Sequence, residues 1–358
     1  MSTHMSYPAT RSVEHPGSEV HFPPIPNGLD YLISVVELLE MGDEQVSARA
    51  LKYAVLHLAA GAEVLLKARL QREHWTLVFK DPGTATRSQL EEGTLKSCDP
   101  DETVRRLRDI AGVAITAEDG KALRKLAERR NALQHYGLIG PAANARAVES
   151  QATEVLDFLI RFLDEELLPH LDRPERRATR FDMTLIRAGL TQIRGFVKKR
   201  MQRLRAGLEP LRDHTVQCPD CDQMTLVVER FPDEPSNDTE DFLSPLVFPV
   251  ACLFCGTAAL PAEAAHAYLT VVLGRLRQGG PNPSVLKCPD CSNRSLVLDV
   301  RTAAAPDDPA DFCFCCARVI PGLHRCGAGI HAFRSLERAT ACLSCLSLTR
   351  GHDEGNPT

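Results

Sequence analysis

Three polar residues in one predicted helix have the types and the spacing for proton transfer beside a bound phosphate: Arg130, Asn131 and His135. Histidine can move a proton near neutral pH, and arginine binds phosphate oxygens in a bidentate manner and stabilises developing charge. Asn131 and His135 are four residues apart, so they lie on one edge of the same helix face, where the amide could orient either partner. The three side chains together indicate phosphodiester chemistry.

The position of Arg130 within this helix is unusual. At about 100° per residue, Arg130 falls on the apolar face that Leu123, Leu126 and Leu133 form, where the helical period favours another leucine. A guanidinium on such a face is costly unless it is paired or reaches solvent at an interface. Glu63 is a candidate partner and a fourth candidate site residue: it could position Arg130 for catalysis, or the two could form a purely structural ion pair.

These residues resemble the Arg-x₄₋₆-His motif of the HEPN superfamily, with Arg130, the polar Asn131 directly after it, and His135. The resemblance covers roughly residues 29–172 and extends to a long central helix, which contains Glu63 and is apolar nearly all round from Ala54 to Leu66. It implies a homodimer in which two motif helices face each other across one composite cleft. It also implies a metal-independent endoribonuclease, found in toxin or phage-defence systems, in which the RNA 2′-hydroxyl attacks its own phosphodiester and leaves a 2′,3′-cyclic phosphate. Arg130 would hold the phosphate and His135 would be the general base or acid.

The cysteines indicate metal sites in the other half of the chain. Twelve of the thirteen lie beyond residue 217, mostly as Cys-x-x-Cys pairs, and nothing in the sequence indicates secretion, so metal is favoured over disulfides. The segments CPDCDQMTLVVE and CPDCSNRSLVLD align residue for residue, and a second pair follows each. Two such pairs form a zinc ribbon with a closed set of four thiolates, which is typical of structural Zn²⁺. The predicted ligand sets are Cys218, Cys221, Cys252 and Cys255, and Cys288, Cys291, Cys313 and Cys316.

A third metal site is predicted near the end of the chain. Cys326, Cys342 and Cys345 would supply three ligands, and the fourth would be His331 or His324. His331 is preferred because its Cys-x₄-His spacing leaves room for the chain to reverse. Cys98 and Cys315 remain as predicted free thiols.

The predicted fold class is an all-α helical bundle followed by small β zinc-ribbon modules. Thr116 is the predicted N-cap of the motif helix and Asp43 that of the long central helix. The predicted divisions are a disordered tail (1–28), the bundle (29–172), a basic linker helix (173–214), the first ribbon (215–262), a linker helix (263–284), the second ribbon (285–320), a third zinc module (321–350) and a tail (351–358).

Charge is distributed unevenly along the chain. The net charge of −5 argues against a uniformly basic nucleic-acid binder, yet Arg173 to Arg212 holds twelve Lys and Arg against three Asp and Glu. This segment could track RNA phosphates, or it could be a solvated connecting helix. The apolar runs are too short to cross a bilayer and no secretion signal is visible, so we expect no membrane partner and a cytoplasmic location.

Two functions therefore compete. The first is a homodimeric endoribonuclease of the HEPN type, with RNA as its substrate and ribbons that recruit the substrate or a protein regulator. The second is a catalytically silent HEPN-like adaptor that uses its ribbons to bind nucleic acid or a protein. A zinc-dependent hydrolase is disfavoured because thiolates close every predicted zinc site.

Overall fold

A computed structural model of the chain describes residues 21–40, 46–94, 96–230, 249–274, 285–325 and 332–334. The N-terminal part is helical, and small antiparallel sheets follow it, as the coarse prediction required. In the described residues the α-helices before the first strand are α1 (Pro24–Leu39), α2 (Ala48–Glu73), α3 (Arg87–Glu91), α4 (Pro100–Asp109), α5 (Ala117–His135), α6 (Ala145–Phe162), α7 (Arg173–Leu190) and α8 (Arg194–Leu208).

The long helix α2 lies at the centre of the bundle. It contacts α1, α4, α5 and α6, which explains why its sequence is apolar on nearly every side. The crossing with α1 is close: a Cβ added at Gly28 would lie 2.5 Å from the Cγ of Leu65. The absence of a side chain at Gly28 therefore lets the two helices approach closely.

The helix ends test three local predictions. Thr116 caps α5, because its hydroxyl accepts from the Asp119 N–H while the Asp119 carboxylate accepts from the Thr116 N–H. The N-cap of α2 is Ser47, so the prediction of Asp43 is wrong; Asp43 itself lies outside the described residues. The tail also ends earlier than predicted: α1 begins at Pro24, since proline suits the first turn of a helix.

The basic linker helix predicted over 173–214 is two separate helices in the structure. The helix breaks between Leu190 and Arg194, and α7 packs against α1 while α8 packs against α6. The Ile193 side chain is buried at the break, which allows both helices to turn their apolar faces toward the bundle. Residues 173–208 are therefore part of the helical packing and do not form a free-standing connection.

A buried carboxylate joins α6 to α8. The fully buried Asp157 carboxylate lies 2.7 Å from Nη2 of Arg203 and 3.7 Å from Nη1 of Arg200. Both contacts are ion pairs whose geometry is not that of a hydrogen bond. Removing one member of a buried pair leaves the other charge without compensation.

We therefore expect Asp157→Ala to lower the free energy of unfolding by about 3–5 kcal/mol. The matched control is Glu154→Ala, on the same two helices, because Glu154 lies 3.8 Å from Lys199 in a solvent-exposed pair. That control should cost less than about 1 kcal/mol. Urea unfolding followed by circular dichroism measures both, and equal effects would contradict a special role for the buried carboxylate.

Two sheets of the same topology form the β modules. The first has the order β1-β2-β3-β4 and the second has the order β5-β6-β7-β8, with every neighbouring pair antiparallel. A further antiparallel pair is formed by β9 and β10. The bounds are β1 (Thr215–Gln217), β2 (Met224–Val228), β3 (Val250–Cys252), β4 (Ala258–Ala259), β5 (Leu286–Lys287), β6 (Arg294–Val300), β7 (Ala310–Cys313), β8 (Arg318–Val319), β9 (Leu323–Arg325) and β10 (Ala332–Arg334).

The predicted linker helix over 263–284 is short where the structure describes it. Helix α9 (Pro261–Ala267) continues into one π turn over Tyr268–Val272 and packs against β6. The buried Tyr268 ring lies 5.7 Å from the ring of Phe314, and its hydroxyl accepts from the Arg301 N–H. The α9 segment therefore packs against the second sheet.

No helix in the described part of the chain has both the length and the apolar character needed to span a membrane.

Candidate metal centres and candidate active site

Each β module brings four cysteine sulfurs together. In each group the sulfur atoms all lie within 4.8 Å of one another. In the first group Cys218 and Cys255 are 3.8 Å apart, and Cys221 and Cys252 are 3.6 Å apart, between Sγ atoms. A tetrahedron with Zn–S bonds of about 2.3 Å has sulfur–sulfur edges of about 3.8 Å. Both groups therefore have the spacing for a metal ion such as zinc.

The second group repeats this geometry. Its Sγ distances are 3.9 Å between Cys288 and Cys316 and 3.8 Å between Cys291 and Cys313. The eight ligands predicted for the two ribbons are thus the eight cysteines that the structure gathers. Four thiolates in one group leave no open coordination position for a substrate, so a metal ion here would be structural.

The backbone turns the same way after each cysteine pair. The residue that follows the second cysteine has a positive φ in all four pairs, which reverses the chain and directs both sulfurs to one side. The turn is closed by a hydrogen bond, as when the Asp222 N–H donates to the Cys218 carbonyl. The four residues are Asp222 (63°), Gly256 (72°), Ser292 (60°) and Ala317 (53°).

Donors beside the sulfurs are also repeated. The Thr225 hydroxyl lies 3.2 Å from the Cys252 sulfur, and the Ser295 hydroxyl lies 3.2 Å from the Cys313 sulfur, at equivalent positions of the internal repeat. The Cys255 N–H also donates to the Cys252 sulfur at 3.4 Å. Such donors stabilise thiolate charge and orient ligands around a metal.

Contacts among the thiols shift their proton affinities in opposite directions. In the first group the contact with the Cys221 sulfur raises the pKa of Cys218, whereas the contact with the Cys218 sulfur holds the pKa of Cys255 below its usual value. Four thiolates at this separation repel one another, so a bound cation is what allows all four to ionise together.

The structure describes only some of the residues in the remaining predictions, which concern the third metal site and the free thiols. Cys326, His331, Cys342 and Cys345 lie outside the described residues, and the alternative ligand His324 is exposed on β9. Cys98 and Cys315 are buried and form no disulfide. The Cys98 sulfur lies 3.2 Å from the Thr103 hydroxyl, and the Cys315 sulfur accepts from the Asn293 amide at 3.1 Å.

The first metal centre is docked directly onto the helices. Phe254, between the two cysteines of the second pair, meets the ring of Phe196 edge-on at 5.9 Å. Arg200 donates to the Leu253 carbonyl at 3.3 Å. Gly256 faces the guanidinium of Arg187 so closely that an added Cβ would lie 2.8 Å from its Cζ. Arg200 therefore connects the metal centre with the buried Asp157 pair.

At the candidate active site, two cations share one carboxylate. Nη2 of Arg130 lies 3.3 Å from Oε2 of Glu63, and Nζ of Lys67 lies 2.6 Å from Oε1 of the same group. Nη1 of Arg130 also donates to the Gln134 side-chain carbonyl at 3.2 Å. The Arg130 side chain remains 28% exposed. Since one carboxylate faces two cations, the cluster keeps a formal charge of +1 at the surface.

Asn131 and His135 are both exposed on the last turns of α5. The imidazole is therefore accessible to solvent and is not enclosed in the core of the chain. A small apolar cavity of about 30 Å³ between α2, α4 and α5 ends at Glu63 and Arg130. Beyond α5, Tyr136 is 77% exposed and Ile139 is 82% exposed. These two large side chains, one and four residues after His135, are therefore open to solvent.

Sequence reasoning identified Glu63 as a partner of Arg130 but missed Lys67 and Gln134. Both could have been found, because each lies four residues from a predicted site residue on the same helix. Comparison of the chain with known protein families, with curated proteins and with solved structures finds no match.

Proposed function

We propose that the chain is a metal-independent endoribonuclease of the HEPN type that acts as a homodimer. The observation that carries the proposal is the Glu63–Lys67–Arg130 cluster, which has an excess positive charge and whose Arg130 lies five residues before the exposed imidazole of His135 on α5. A phosphodiester needs both: a cation that binds its oxygens and a group that exchanges a proton near neutral pH.

In the proposed reaction His135 takes the proton of the RNA 2′-hydroxyl, and the resulting oxyanion attacks the adjacent phosphorus. The bond from phosphorus to the 5′-oxygen breaks, and a histidinium returns a proton to that leaving oxygen. Arg130 holds the phosphate oxygens and stabilises their developing charge. Asn131 orients the phosphate or the imidazole. The products are a 2′,3′-cyclic phosphate and a free 5′-hydroxyl.

A second copy of α5 completes the proposed cleft. The exposed positions around His135 leave room for a facing helix, and the uncovered Tyr136 and Ile139 would be buried there. In this arrangement the histidine that accepts the first proton and the one that donates the second can come from different subunits.

The Arg130–Glu63 ion pair also favours a second candidate, a silent adaptor in which the pair only ties α5 to α2. The ribbons would then be the functional surface. An adaptor predicts no RNA cleavage by the purified protein, and Arg130→Ala would affect folding or dimerisation alone.

The direct test incubates purified, zinc-loaded protein with single-stranded RNA in the presence of EDTA, and zinc is measured before and after. We expect cleavage that leaves 2′,3′-cyclic phosphate ends, detected by mass spectrometry of the fragments. Cleavage that depends on added metal would overturn the mechanism, and no cleavage at any protein concentration would favour the adaptor.

A further inference from the structure

A second surface feature lies away from the candidate active site. A groove of about 610 Å³ runs between α8 and the β modules, within the range of about 300–1,000 Å³ that is usual for ligand pockets. Three chain segments line it: α8 and the turn after it, β2 of the first ribbon through Met224, and the stretch after β6 through Ala303. Most of the lining therefore comes from α8 and the turn after it, and each ribbon contributes one residue.

The charge of the groove is positive. Helix α8 has no acidic residue, and its Lys198 and Arg205 side chains are exposed at the groove without an ion pair to any described residue. At one end, Arg212 is fixed by its hydrogen bonds of 3.2 and 2.9 Å to the Ala303 carbonyl and by its contact with Glu209. The Glu209 carboxylate neutralises the charge of Arg212. Lys198 and Arg205 therefore give the groove an excess of two positive charges.

The groove is also partly apolar. Met201, Leu208 and Met224 contribute to its lining, and Gln202 adds an exposed amide between the two cations along α8. Methionine side chains adapt to flat, polarisable surfaces. A ligand that fits this lining has anionic groups spaced along a chain and an apolar ring that can be buried against the methionine and leucine side chains.

We propose that this groove binds single-stranded RNA, with phosphates at Lys198 and Arg205 and a base against Met201, Leu208 and Met224. A duplex keeps its bases stacked inside and could use only the cations, whereas an unpaired strand can use both parts of the lining. The inference rests on the proposed function, because it assigns to the groove the substrate strand that the candidate active site would cut.

The test measures binding of a fluorescent single-stranded RNA of twelve nucleotides to full-length, zinc-loaded His135→Ala protein, which should leave the RNA intact. Fluorescence anisotropy is recorded from 50 to 200 mM salt. Each phosphate contact contributes about 0.7 to the salt slope for single strands. Lys198→Ala/Arg205→Ala should therefore reduce the slope by about 1.4 and weaken binding about tenfold or more at 100 mM salt.

The matched control is Lys80→Ala/Lys96→Ala, which removes the same charge from two exposed lysines outside the groove. Binding by this control should stay within about twofold of its parent. Equal weakening by both double variants would overturn the groove as the site, and so would equal affinity for single-stranded RNA and for a duplex of the same sequence. Displacement of the RNA by an acidic peptide at lower concentration than by unlabelled RNA would assign the groove to a protein partner instead.

These results are separable from those on the proposed function. RNA binding that needs Lys198 and Arg205, together with no cleavage by the wild-type protein, would contradict the nuclease and leave the groove intact. Cleavage by the wild-type protein with an unchanged salt slope in Lys198→Ala/Arg205→Ala would contradict the groove alone.

Discussion

His135→Ala should slow RNA cleavage by about 100- to 10,000-fold, the range for loss of a general acid or base. The imidazole is exposed at the end of α5 and forms no part of the buried core, so its removal should leave folding unchanged. The rate is measured on a single-stranded RNA under single-turnover conditions, so that chemistry is separated from product release.

The matched control is His266→Ala, which removes another exposed histidine from a helix of the same chain. It should cleave RNA at the wild-type rate. Both variants should keep the wild-type zinc content, oligomeric mass and circular dichroism spectrum. A His135→Ala protein that retains full activity would remove the imidazole from the mechanism, whatever the role of Arg130.

Loss of the first metal centre should destabilise the helices more than loss of the second. The four cysteines of the first centre belong to the principal hydrophobic core, whereas Cys288 and Cys313 belong to a smaller, separate cluster. Cys252→Ser should lower the zinc content by one ion per chain and the free energy of unfolding by about 4 kcal/mol or more. Phe254 would lose the turn that holds it against Phe196.

Cys313→Ser is the matched comparison, because it replaces the equivalent ligand of the second centre. It should also remove one zinc ion per chain but should shift helix unfolding less. Zinc is measured by mass spectrometry of the metal, and helix unfolding by circular dichroism during heating. Equal shifts in both variants would mean that docking through Phe254 and Arg200 does not stabilise the bundle.

Several features could be predicted because the residues that determine them are close in sequence. The α5 cap needs only Thr116 and Asp119, three residues apart, and a Cys-x-x-Cys turn is complete within a few residues. The internal repeat also predicted correctly which two Cys-x-x-Cys pairs form each group of four cysteines. The central position of α2 followed from its composition, because a helix that is apolar on nearly every side is covered by other elements on nearly every side.

Other features depended on packing between distant segments. The break between α7 and α8 has no proline to mark it and follows from which faces the bundle buries around Ile193. The hydrogen bond from Arg200 to the Leu253 carbonyl joins two residues that are 53 positions apart in the sequence.

For the candidate sites, the sequence by itself determined which chemical groups are present. These are two sets of four cysteine thiols, and an arginine and a histidine on one helix. Only the tertiary structure decided that Glu63 pairs with Arg130 while also binding Lys67, and that α8 lines a cationic groove together with one residue from each ribbon. The physical reason is that a turn or a cap is set by local conformational preference. A contact across the chain is set instead by the packing free energy of whole elements, which no short stretch of sequence contains.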